Sequence, residues 1–343
     1  MYESFYGFTE KPFQITPDPS FLYLSPNHQN ALQYMEYGIR NKVGIILLTG
    51  EVGSGKTTLV EYQRQQFGDE VTVVVITNTN LSADDLVSYI LLELKVQPDA
   101  NRKALNHNLL KAYLKSLDAD GRRLVLIIDE AQNLPKDSLE EIRMLSNLQA
   151  DVVMPLQIFL VGQPELRTIL KAPGMHQLRQ RIALNFHLEG LNREETGRYI
   201  HYRLQAAGGP ADLFEEAAVD VIWETTSGIP RAINMLCDSS LLYGFAEEQQ
   251  IITGEVVENV TAELNLRPFI QKNAQEPAHP DKEPPPPAAN KMPAEAPGRR
   301  KSDDRLRKAL VVLNKKIDLL GVKLDLLRKD MLNLAVDSTR SNQ

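Results

Sequence analysis

The sequence predicts an α/β protein: a mostly parallel sheet with helices on both faces, followed by a small all-helical lid. Two observations predict this. Between Val43 and Val161, β-branched runs (Val43–Leu48, Val71–Thr77, Leu124–Ile128 and Gln157–Val161) alternate with amphipathic stretches such as Leu86–Leu94 and Leu109–Leu117. Alternation of strand and helix signals implies a parallel sheet covered by helices. From Asn192 to Leu264 the strand signals vanish. Asn192 and Glu195 have the spacing of a capping box, and a helix follows through Tyr199–Leu204. A second helix is predicted over about 214–225, ending near Gly228. Pro230 suits the first turn of a third helix, and a fourth starts near Thr253.

The first strand runs into Gly50-Glu51-Val52-Gly53-Ser54-Gly55-Lys56-Thr57, a match to G-x-x-x-x-G-K-[ST]. Glycines let backbone N–H groups turn inward around a phosphate, and a helix beginning near Lys56 adds its positive end. Lys56 is expected at the β- and γ-phosphates of ATP and Thr57 at Mg²⁺, with Thr58 completing the loop. The run Leu124–Ile128 ends in Asp129 and Glu130. A buried strand puts Asp129 at its C-terminal edge, where it can hold Mg²⁺ through water, and leaves Glu130 to polarise an attacking water. Gln163 follows the strand 157–161 and could orient that water or touch the γ-phosphate. Arg179 and Arg181 lie on a helix-like segment, and one of them could reach a neighbouring subunit's site. Arg231 opens a lid helix and could meet the phosphates from above.

Composition is ordinary for a soluble globular chain: 343 residues, 43% apolar and 24% charged. No apolar run suggests a membrane span, and the N-terminus has no signal-peptide pattern. One cysteine, Cys237, excludes an internal disulfide and reads as a small core residue of the lid. The expected compartment is the cytoplasm. The net charge of −7 is uneven: residues 299–343 carry 12 basic and 6 acidic residues, leaving 26 basic against 39 acidic elsewhere. An acidic body argues against broad nucleic-acid binding, while the basic tail leaves it open.

Seven of the 22 aromatics fall in the first 24 residues: Tyr2, Phe5, Tyr6, Phe8, Phe13, Phe21 and Tyr23. They read as a tail packed on the core, with a wall for the adenine pocket as the functional alternative. His28, His107, His176, His187, His201 and His279 show no metal-ligand spacing and are read as structural. Residues 269–305, including Pro284–Pro287, read as a disordered linker. From 306 to 334, Leu306, Leu310, Leu313, Ile317, Leu320, Leu324, Leu327, Met331 and Leu334 keep an unbroken heptad spacing. That predicts a coiled coil roughly 43 Å long. Val312, Leu319 and Leu326 form a second apolar stripe, which favours three or more helices or capture of a partner's helix.

Taken together, the motifs resemble an AAA+ ATPase, and more narrowly the ExeA/GspA-type (MshM-like) ATPases of bacterial secretion and pilus biogenesis. The resemblance rests on Phe5-Tyr-Gly-Phe8, Lys11-Pro-Phe13, Thr16-Pro-Asp-Pro19 and Phe21-Leu-Tyr-Leu-Ser25 near the N-terminus, and on the phosphate loop. It continues through Ile128-Asp-Glu-Ala-Gln-Asn133, Val161-Gly-Gln-Pro-Glu-Leu166, Leu178-Arg-Gln-Arg181 and Gly228-Ile-Pro-Arg-Ala-Ile-Asn234, covering about residues 1–265. It implies that Gln163 is sensor 1, Arg181 the arginine finger and Arg231 sensor 2. The implied layout is an AAA+ nucleotide-binding domain over 1–190 with the aromatic segment, a lid over 191–268, the linker and the coiled coil. Larger members add a transmembrane helix and a peptidoglycan-binding module. Neither is found in this sequence, so the expectation is a form without them, peripheral at the inner membrane at most.

The implied activity is ATP hydrolysis with Mg²⁺, by a homo-oligomer that drives assembly of a secretion, pilus or exopolysaccharide export apparatus. The coiled coil is expected to contact a protein of that system. Transposition regulators of the TniB/TnsC type share the same core, so a DNA-associated regulator is the alternative. A nucleotide-gated scaffold with little turnover is a third, which Glu130 opposes.

Overall fold

The computed structural model describes residues 2–14, 21–41, 43–99, 102–151 and 155–264. The predicted linker 269–305 and heptad segment 306–334 lie outside them.

Five parallel strands form one sheet: β1 (Ile45–Gly50), β2 (Val71–Ile76), β3 (Arg123–Ile128), β4 (Leu156–Gly162) and β5 (Ile182–Leu188), in the order β2-β3-β4-β1-β5. Successive side chains on a strand point to opposite faces, so a strand buried on both reads as a continuous apolar run. Ile45 and Leu47 enter one core with Leu126, Ile128, Ile158 and Leu160. Ile46 and Leu48 enter the other with Val125, Ile127, Phe159 and Val161. The first core is covered by α4 (Ala83–Glu93), α5 (Lys103–Ala119), α6 (Lys136–Asp151), α7 (Glu165–Lys171) and α8 (His176–Arg181). The second is covered by α2 (Pro26–Arg40) and α3 (Lys56–Gln65).

Strand β5 was not anticipated. The helix signal of Leu178–Arg181 ends at Arg181, and a strand begins at Ile182. Ala183 and Asn185 are exposed and no residue but Leu188 is fully buried, so no apolar run marks it.

The lid comprises α9 (Arg193–Ala206), α10 (Glu216–Thr226), α11 (Pro230–Ala246) and α12 (Gly254–Glu263). The capping box at its entrance is complete. Asn192 accepts from the Glu195 N–H, and the Glu195 carboxylate accepts from the Asn192 N–H. Pro230 occupies the first turn of α11, and the Thr253 hydroxyl caps α12. Cys237 is fully buried on α11.

The N-terminal aromatics belong to the lid core, not to either face of the sheet. Tyr2, Tyr6, Phe8, Phe13 and Phe21 are buried among Tyr199, Leu204, Phe214, Leu236 and Leu241. The short helix α1 (Tyr2–Tyr6) lies on α11, where the Tyr2 hydroxyl donates to Asp238 and the Tyr6 hydroxyl to the Gln249 carbonyl. The Thr9 N–H and hydroxyl both donate to the carbonyl of Ala207. Most of this segment is thus a fifth packing element of the lid, added from the opposite end of the described chain.

Candidate nucleotide site

Strand order explains why distant motifs meet. Strand β4 lies between β3 and β1, with Ile128 level with Leu160 and Thr49 level with Gly162. The C-terminal edges of three adjacent strands therefore carry, side by side, Asp129 and Glu130, then Gln163, then the glycine-rich loop after Gly50. Ligands of open α/β sheets gather at this edge.

Within the loop, Gly53 and Gly55 have φ of 81° and 98°, a region where a side chain is strained. Space forbids one as well. A Cβ at Gly53 would stand 2.4 Å from the Arg231 Cβ, and one at Gly55 would stand 2.9 Å from the His28 ring nitrogen Nε2. Gly55 then opens α3, whose first residue is Lys56. The buried Lys56 ammonium donates to the carbonyls of Gly50 and Glu51 at 2.8 and 2.9 Å. Burial lowers its pKa, opposed by the charges of Glu130, Asp129, Glu51 and Glu165. Ser54 is buried at the heart of the loop, and its hydroxyl has no partner. Thr58 is half-buried on α3, Glu51 half-buried and Val52 exposed at the rim.

The Thr57 hydroxyl donates to Asp129 Oδ2 at 2.6 Å, while Asp129 Oδ1 accepts from the Glu130 N–H at 2.9 Å. Glu130 has a left-handed backbone, φ 52°, which turns the chain off the strand edge. Its Oε2 accepts from the side-chain amides of Gln132 at 2.6 Å and Gln163 at 3.0 Å. The Gln132 amide oxygen in turn accepts from the Gln163 N–H at 3.0 Å. Burial pushes the Glu130 carboxyl up. The two amide donors and the Lys56 charge outweigh it, so the group is held below its ordinary range as a carboxylate. Gln132 was not singled out in the sequence. Only its register in the short 3₁₀ turn Ala131–Asn133, which returns its amide to Glu130, marks it.

Arg231 is exposed at the start of α11, its N–H donating to the Gly53 carbonyl at 3.2 Å, so the lid touches the loop here. Arg181 and Arg179 are elsewhere. Arg181 precedes Ile182, which pairs with Ile45 at the opposite end of β1 from the loop. About 17 Å of strand separates the two ends. Both arginines are exposed, and the structure does not bring them to this chain's own loop.

A cavity of about 410 Å³ opens between the loop and the lid. Val52, Lys56, Thr57 and Glu130 line one side; Leu191, Tyr199, Arg203, Arg231 and Asn234 line the lid side; Gln14, Phe21, Leu22 and Tyr23 come from the N-terminal segment. The segment is thus packed into the lid core and also lines this cavity. Arg203 fastens the two. It donates to the carbonyls of Pro12 and Gln14 at 2.6 and 3.1 Å and lies 4.7 Å from the centroid of the Phe21 ring. No local spacing marks Arg203, because its partners are backbone carbonyls nearly two hundred residues away.

The donor set fits Mg²⁺ delivered with a nucleotide. A hydroxyl and a carboxylate stand together, hard oxygens of the kind that ion takes in ones and twos beside phosphate oxygens. Among the described residues no group of three or more His, Cys, Asp and Glu side chains could hold a metal alone. No helix among them is long and apolar enough to cross a membrane.

The comparisons agree with this geometry. A family model described as an AAA domain matches residues 39–170. General secretion pathway protein A of Aeromonas hydrophila is 39% identical over 259 residues, which is 75% of this chain and 47% of that protein. The chain thus spans about half the length of that relative. Two solved structures share the fold. The ORC2 protein of Aeropyrum pernix, in ADPNP–ADP complexes, has a TM-score of 0.57 at 17% identity, covering 75% of this chain and 72% of that one. Cdc6p of Pyrobaculum aerophilum also has a TM-score of 0.57 at 17% identity, covering 74% and 70%. With its phosphate loop, strand-edge carboxylates and lid, the chain carries an AAA domain over residues 39–170 and is similar across 259 residues to General secretion pathway protein A.

Proposed function

We propose that the chain is a self-assembling, Mg²⁺-dependent AAA+ ATPase that couples ATP turnover to the assembly or remodelling of a bacterial secretion, pilus or exopolysaccharide export apparatus. The observation that carries the catalytic part is the triple contact at one strand edge: Thr57 on Asp129, Asp129 on the Glu130 N–H, and Glu130 between two glutamine amides. The named relative supports the secretion part.

In this reading Gly50, Glu51, Val52, Gly53, Ser54, Gly55 and Thr58 shape the loop that binds the phosphates. Lys56 supplies its positive charge. Thr57 and Asp129 would hold Mg²⁺, which when bound offsets charge on the phosphate oxygens. Glu130 orients the attacking water and takes its proton, with Gln163 and Gln132 fixing the carboxylate. Arg231 reads the nucleotide from the lid. Arg181 serves a neighbouring copy, because the fold puts it at the far edge of its own sheet. A site shared between copies makes the assembled state the active one.

The test is complementation. Arg181→Ala should bind ATP about as well as the parent chain but turn it over slowly, and Lys56→Ala should bind poorly. A mixture of the two should regain activity, since one copy gives the arginine and the other an intact loop. No recovery in mixtures shown by sedimentation to co-assemble would sink the shared site.

A further inference from the structure

His28 was read as a structural histidine, yet it is built into the phosphate loop. It lies in the first turn of α2 and is 5% exposed. Its Nδ1 is 2.7 Å from the Ser25 hydroxyl and its Nε2 is 3.2 Å from the Ser54 carbonyl. One neutral tautomer satisfies both contacts. A carbonyl can only accept, so Nε2 carries the hydrogen and Nδ1 accepts from the Ser25 hydroxyl. Burial lowers the pKa of the ring, with the Ser54 carbonyl and the charge of Glu195 on α9 only partly opposing it. The same neutral form results.

The consequence follows from peptide geometry. In a planar trans peptide the carbonyl and the next N–H point in opposite directions. Holding the Ser54 carbonyl therefore fixes where the Gly55 N–H points, which is away from the imidazole. A loop that cradles phosphate works through such N–H groups, and their direction is what makes it a nest. The contact also reaches the other side of the cavity. Ser25, which caps α2, follows the wall residues Phe21, Leu22 and Tyr23 by two positions.

We infer that His28 is a positioning residue of the ATPase: its Nε2–H holds the Ser54–Gly55 peptide in the orientation that binds the nucleotide phosphates, and its Nδ1 ties that loop to the N-terminal wall. The inference rests on the loop being the nucleotide site. Nothing on the imidazole touches the reacting atoms.

The experiment compares His28→Gln, His28→Asn and His28→Leu in the full chain, with ADP as the probe. A glutamine amide nitrogen reaches about where Nε2 lies, an asparagine amide only about where Nδ1 lies, and leucine fills the space with no donor. ADP affinity should fall about three- to tenfold in the Asn and Leu variants, the scale of one hydrogen bond, and stay within about twofold of the parent in the Gln variant. In turnover assays the loss should appear in KM more than in kcat. Melting curves establish that each variant is folded; should His28→Leu not fold, the Gln and Asn pair decides the matter. Asn binding ADP as tightly as the parent, or Gln binding no better than Asn, overturns the inference. The parent and Lys56→Ala are measured alongside. A parent chain that binds no ADP sinks the site itself, and a parent that binds while the three variants match it sinks only the role of His28.

Discussion

At the scale of single residues, the site is organised around an ionised glutamate that two neutral amides hold in place. Gln132 and Gln163 donate to the same oxygen, Oε2, of Glu130. A carboxylate accepting two hydrogen bonds is stabilised in its charged form and has less freedom to wander. Gln163→Ala removes one of the two donors to Glu130 and leaves the backbone bond from Gln163 to Gln132 in place. Turnover should fall about tenfold, less than the roughly hundredfold of a lost general base because Glu130 keeps its Gln132 donor, while ADP affinity is unchanged. Single-turnover kinetics beside equilibrium binding would check this, and equal losses in both would show that Gln163 acts on the loop instead. Most of these residues were legible in the sequence because phosphate chemistry demands particular types at particular spacings. Gly50, Lys56, Thr57, Asp129 and Glu130 fall in that class. Gln132, His28 and Arg203 do not. Each acts on backbone, or on a side chain reached only through a turn, so nothing in its local spacing distinguishes it from a solvated polar residue.

At the scale of elements, the strands with both faces buried read clearly from their unbroken apolar runs, and the lid helices from their caps and proline. Strand β5 does not, because polar Asn185 and His187 break its run, whereas β2 at the other edge keeps the β-branched run Val71–Ile76. The N-terminal segment was legible as aromatic but not as part of the lid, since its partners lie beyond residue 190 in sequence. Its attachment centres on Arg203, a buried guanidinium held by Pro12, Gln14 and the Tyr199 hydroxyl. Arg203→Leu would leave the carbonyls of Pro12 and Gln14 without that donor. We expect a loss of about 2–4 kcal/mol in denaturant unfolding, the cost of stranding buried polar groups, and faster proteolysis before residue 25. Unchanged cleavage there would mean that the aromatic packing alone secures the segment.

At the scale of the whole molecule, one compact ATPase body is followed by sequence with a different composition. Cutting after about residue 270 should leave a folded, nucleotide-binding body, because all three cores and the cavity are complete before Leu264. The same cut should weaken assembly if the heptad spacing from Leu306 to Leu334 forms the coiled coil that the sequence predicts. Sedimentation of the two lengths across a concentration series decides it; identical assembly would place every contact between copies in the body. The DNA-associated alternative rests on the basic residues of 299–343, and salt-dependent duplex binding by the full chain but not the cut one would favour it. Beneath all of this stands the claim that the strand-edge carboxylates hydrolyse ATP held by the loop. The most direct measurement is ATP retention and phosphate release by Glu130→Gln beside the parent chain. The variant should keep bound ATP at close to the parent's affinity and release phosphate at least about a hundredfold more slowly, the scale of a lost general base. Release at the parent's rate would contradict the claim.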